Sequence, residues 1–87
     1  MNPTVEAVAN KTDSKLIIKD KTKKKPESVS PHSIKKLTNE NLLDMTFISK
    51  TNKPVYIRVQ SVVDDGGNGE ERVEVEVGEA EEEEEDL

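Results

Sequence analysis

Val55-Tyr56-Ile57-Arg58-Val59-Gln60-Ser61-Val62-Val63 carries the strongest period of two in the chain. Val55, Ile57, Val59 and Val63 fall on one face, interrupted by Ser61, and Tyr56, Arg58, Gln60 and Val62 fall on the other. Successive side chains of an extended strand point to opposite faces, so this spacing predicts a β-strand with one face turned toward a core. Arg72 to Val77 alternates in the same way, with Val73, Val75 and Val77 inward and Arg72, Glu74 and Glu76 toward water. Asp64-Asp65-Gly66-Gly67-Asn68-Gly69 between them reads as a loop, because closely spaced glycines accept conformations that regular structure does not use. Upstream, Met45, Phe47 and Ser49 alternate with Thr46 and Ile48, and Thr51-Asn52-Lys53-Pro54 supplies turn chemistry.

The expected fold class is therefore mainly β: a small three-stranded antiparallel meander near 45–50, 55–63 and 71–77, flanked by disordered or extended arms. A short helical turn is expected before the first strand. Ser30 is placed to cap it, Pro31 suits the first helical position, and Ile34 and Leu37, three apart, would share one helical face.

Charge divides the chain. Residues 1–36 hold nine Lys against Glu6, Asp13, Asp20 and Glu27, a balance of +5; residues 37–63 give +1, and residues 64–87 give −12, which together make the net −6. Dense like charge repels and stays hydrated, which predicts three regions: a basic extended arm over 1–30, a small β module over 31–78 and an acidic disordered tail over 79–87. Within the arm, Leu16-Ile17-Ile18 is the one run of large aliphatic side chains, read as a short strand or docking segment.

Sixteen large apolar or aromatic side chains lie between Ile34 and Val77. On that count a lone three-stranded sheet leaves one face and two edges open, and such a domain is expected to borrow core from a partner. The candidate partner-binding residues are Val55, Ile57, Val59 and Phe47 on the module and Leu16, Ile17 and Ile18 on the arm. The expected function is a non-catalytic structural or adaptor subunit, held in a larger assembly by a protein partner or by self-association. The ordering of basic arm, β module and acidic tail resembles the layout of small accessory proteins of virus particles, which implies a structural or cementing role there.

Two further readings belong to other classes. An acidic protein can mimic nucleic acid and inhibit a protein that binds it. Alternatively the arm contacts nucleic acid itself, with Lys21, Lys23, Lys24 and Lys25 as candidate phosphate contacts. Lysines on an unstructured arm neutralise phosphate without reading sequence, and no Arg or aromatic residue interleaves this run to stack on bases. With a net charge of −6, nucleic acid ranks behind a protein partner.

Other chemistries find little support. The chain has one His and no Cys, and no nucleophile sits beside an oriented base, so no enzyme is expected. If Gly69 is taken as the turn glycine of a calcium-binding helix–loop–helix motif, Gly66 falls on a ligand position and Val75 on the position of the bidentate Glu; no metal or cofactor is expected. No apolar run exceeds three residues, as at Leu16–Ile18, so neither a signal peptide nor a membrane span is expected, and the expected location is cytoplasmic or within a virus particle.

Overall fold

The computed structural model describes residues 3–62 and 71–81. The chain is mainly β. Among the described residues seven strands run in the order β1 (Thr4–Lys11), β2 (Leu16–Asp20), β3 (Glu27–Val29), β4 (Ser33–Asn41), β5 (Met45–Ser49), β6 (Val55–Ser61) and β7 (Arg72–Glu79), with a single 3-10 turn at Leu42–Asp44. They form a four-stranded sheet ordered β4-β1-β7-β6 and a three-stranded sheet ordered β3-β2-β5. The β1–β7 ladder is parallel and every other ladder is antiparallel.

One core lies between the sheets. Val5 and Val8 of β1, Leu37 of β4 and Val73, Val75 and Val77 of β7 meet Leu16 and Ile18 of β2 and Val29 of β3, with Leu42, Met45 and Phe47 packed against the rim. Five of these nine buried residues belong to the region expected to be an extended arm. The arm is corrected accordingly: β1 sits at the centre of its sheet, hydrogen-bonded on both sides, and β2 and β3 supply most of the second sheet. A segment with several lysines folds here because its charges face outward while Val5, Val8, Leu16, Ile18 and Val29 face in.

The meander is corrected as well. β6 and β7 form the expected antiparallel pair, with Ile57 opposite Val77 and Val59 opposite Val75. β5 forms over the expected residues but pairs with β2 in the other sheet, with Phe47 opposite Ile18. Five residues, 50–54, separate β5 from β6, enough to cross the roughly 10 Å between packed sheets. The expected helical turn is a strand: residues three apart lie on opposite faces of extended chain, and Leu37 is buried while Ile34 is 70% exposed. The loop 64–69 and tail residues 82–87 lie outside the described residues, and Glu79, expected to open the tail, instead closes β7.

A buried polar clamp joins the two connections at one end of the sandwich. Asn10, 1% exposed, donates from Nδ2 to the carbonyls of Ser14 (2.8 Å), Val29 (3.0 Å) and Ser30 (3.2 Å). Its Oδ1 accepts from the Thr12 main-chain N–H at 3.0 Å and lies 2.7 Å from the Thr12 hydroxyl. One side chain thus satisfies main-chain groups of both the β1–β2 and β3–β4 connections, which would otherwise be buried without partners. At the other end, Asp20 accepts from Thr22 N (2.8 Å) and Thr22 Oγ1 (2.6 Å), and these bonds hold its carboxyl below the usual range.

Candidate interaction surface

β6 is an edge of the four-stranded sheet, and three of its apolar side chains are open to solvent: Val55 at 41%, Ile57 at 52% and Val59 at 46% exposure. Directly opposed residues of an antiparallel pair project to one face, so these three share the face of the buried valines of β7. They are uncovered because the facing sheet is one strand narrower. β3 lies against β1 and β4, which places β5, at the other edge of its sheet, on the β6 side. Thr51, just beyond β5, approaches Glu79 at the end of β7 (3.5 Å). Met45 and Phe47 on β5 are half-buried, so the sandwich ends in an apolar flank between two strand edges.

The hydrogen-bond phase of β6 is fixed at both ends. The Val62 N–H donates to the Arg72 carbonyl (2.8 Å) and the Ala80 N–H donates to the Pro54 carbonyl (2.9 Å). Main-chain groups in an antiparallel strand alternate between the two sides, so even-numbered residues face β7 and residues 55, 57, 59 and 61 direct their N–H and C=O groups to the open edge. Among the described residues no strand pairs with that edge.

On the outer face Tyr56, Arg58, Glu76 and Lys11 form one cluster. Tyr56 Oη donates to Glu76 Oε2 (3.0 Å), Lys11 Nζ lies 3.2 Å from Glu76 Oε1, Arg58 Nη1 lies 3.6 Å from Glu76 Oε2, and the Arg58 guanidinium stands 5.4 Å from the Tyr56 ring centroid. The Lys11 ammonium and then the Tyr56 hydroxyl hold Glu76 below the usual carboxylate range, while the bond to Glu76 pushes the Tyr56 phenol up. The ring lies across Gly78, its cross-strand partner, so closely that a Cβ there would overlap it. Gly78 is buried under this cover, a tyrosine shielding a strand glycine. The strand expected over 71–77 stops one residue short of Gly78, and only the register of the two strands reveals the pair.

Gly78→Ala is expected to displace the ring and break its bond to Glu76. The Tyr56 phenol, titrating above its ordinary value in the folded chain, should fall back toward about 10. A raised value means that the favourable contact is intact below the ordinary phenol range and is lost as pH rises through the folded value; the variant should lose that dependence. With one Tyr and no Trp in the sequence, the ultraviolet absorbance of phenolate reads this residue alone. An unchanged titration would show that the ring is held by something other than Gly78 and Glu76.

The remaining candidates divide. Leu16 and Ile18 are core residues at 0% and 2% exposure, unable to meet a partner while the fold is intact; Ile17, between them, is half-buried on the outer face. Lys23 reaches the buried carboxylate of Glu40, which raises the lysine's pKa, and Lys21 pairs with Asp44 (3.2 Å). Lys24 and Lys25 are exposed and make no ion pair among the described residues. The lysines therefore sit on the turn between β2 and β3, two of the four neutralised by the chain's own carboxylates. His32 Nε2 lies 2.6 Å from Asp13 Oδ1 with both side chains exposed, and Ser33 Oγ donates away to the Pro31 carbonyl (3.1 Å). Among the described residues no helix is long and apolar enough to cross a membrane, and no group of three potential ligands is placed to hold a metal ion.

Comparison with protein families, with curated proteins and with solved structures gives no match to this chain.

Proposed function

We propose that this protein is a non-catalytic structural or adaptor subunit that joins a larger assembly through the β6 edge and the apolar flank beside it. The observation that carries this reading is the coincidence of an open edge with an uncovered apolar row, Val55, Ile57 and Val59, on the core-facing side of a strand. Exposed edges of this kind are usually blunted by lysine, proline or a bulge, because they recruit other strands. Here the row is valine and isoleucine. The tertiary fold does not need these side chains, so their apolar character is explained by a surface that covers them. A cementing subunit of a virus particle is one role of this class. Contact with nucleic acid through the lysines is less favoured, since Lys21 and Lys23 already face Asp44 and Glu40.

Ile57→Asp tests the proposal. At 52% exposure the site tolerates a carboxylate without loss of the fold, and the thermal transition should stay close to that of the parent chain. Incorporation into the native assembly, read by sedimentation of tagged full chain from its source, should be abolished. Unchanged incorporation with the fold intact would rule this surface out.

A further inference from the structure

We infer that the occupant of the β6 edge is a second copy of the same strand, paired antiparallel about a two-fold axis through Ile57, so that two four-stranded sheets become one of eight. The inference rests on the proposed role of this edge and adds its partner and register.

Three features select that arrangement. First, residues 55, 57 and 59 point their main-chain groups outward. With Ile57 opposite Ile57 of the second copy, Val55 falls opposite Val59, and all three positions become hydrogen-bonded pairs. Second, the side chains match on both faces. Val55, Ile57 and Val59 continue across the axis as one apolar row, and on the outer face each Tyr56 meets Arg58 of the other copy, repeating between copies the contact that Arg58 already makes with Tyr56 in one chain (5.4 Å). A shift of two residues one way would instead set Arg58 against Arg58, a like-charge pair, and the other way would set Tyr56 against Tyr56 and lose both Tyr56–Arg58 contacts between copies. Third, the two Ala80 residues are kept apart. Ala80 is bonded to Pro54, and in this register the two Pro54 residues lie six positions apart along the joined strands, about 20 Å, so the two Ala80 residues lie at opposite ends of the shared sheet.

The area is small, which places this contact among weak, concentration-dependent associations. Analytical ultracentrifugation of the purified full chain from micromolar to millimolar concentration should show a monomer–dimer equilibrium, weakened at least ~10-fold by Ile57→Asp. The absence of native Cys permits a register test. Ile57→Cys should form a disulfide dimer under mild oxidation, because hydrogen-bonded antiparallel positions lie about 5.5 Å apart. Val55→Cys and Val59→Cys, each displaced from its own copy by roughly 14 Å along the strand, should not. A chain that stays monomeric at millimolar concentration and gives no Ile57→Cys dimer overturns the inference; so does equal linkage of all three variants, and linkage through Arg58→Cys in place of Ile57→Cys overturns the register. If the purified chain is monomeric while Ile57→Asp still abolishes incorporation into the native assembly, only the second-copy inference fails. If Ile57→Asp leaves that assembly intact, the proposed function fails with it.

Discussion

Asn10→Asp is expected to cost about 4 kcal/mol at neutral pH, a large part of the stability of a domain this size. The substitution is nearly isosteric and keeps Oδ1 for Thr12. The amino group that serves the Ser14, Val29 and Ser30 carbonyls becomes a carboxylate oxygen facing the same three acceptors. Three bonds turn into repulsions at a site with 1% exposure. The introduced carboxyl can relieve this only by holding a proton, so its folded pKa must rise above the ordinary value near 4. Below that ordinary value the carboxyl is protonated in both states and the electrostatic part of the deficit vanishes; as pH rises through the folded value the full deficit returns. Urea unfolding of parent and variant, compared at pH values on either side of that window, reads both the size and the sign. A deficit under roughly 1 kcal/mol, flat with pH, would mean that Asn10 does not clamp the two connections.

Leu16→Ala should cost about 3 kcal/mol, within the range for emptying a fully enclosed leucine site. Ile17→Ala, one residue along, should cost under about 1 kcal/mol, because its side chain is half-buried on the outer face. The pair separates two structures for the lysine-rich first third of the chain. In an extended arm neither change would affect stability; in a strand of the second sheet the costs alternate with residue parity. Equal, small losses at both positions would remove β2 from the core and, with it, the sandwich.

β6 and β7 are legible in the sequence because a period of two runs through each, broken only at Ser61, and their pairing follows from their being neighbours in the chain. β1 is hidden by a bulge. Between Val5 and Ala7 the ladder to β7 advances by one residue on β7 and two on β1, so the extra residue Glu6 changes the phase. Val5 is buried, and after the bulge the buried positions are Val8 and Asn10. Read on a fixed period, that segment mixes polar and apolar on both faces and passes for an arm. β4 is masked by a second irregularity against β1 and by Asn39, whose φ of 61° interrupts extended backbone. Its Ile34-to-Leu37 spacing mimics a helical face because one of the two residues faces water. β5 is legible as a strand but not in its partner: nearest-neighbour pairing favours β6, and only Leu16 and Ile18, assigned to the arm, reveal the sheet that receives it. The exposed row Val55, Ile57 and Val59 could be named from the sequence as one face of a strand. Its exposure could not, since that depends on the facing sheet being narrower. The Asn10 clamp joins carbonyls 19 and 20 positions away and leaves no trace in local pattern.

The parallel ladder of β1 with β7 places Val8 beside Val75, so the middle of the larger sheet is built from the two most distant strands in the chain. During synthesis β2, β3 and β5 can meet, and β1 can pair with β4, as soon as they leave the ribosome, but the second edge of β1 must wait until β7 has been made. Closure over nearly the whole length is slow compared with local pairing. The larger sheet is therefore completed last, and a nascent chain halted within β6 would present the open edge of β1 to chaperones and proteases.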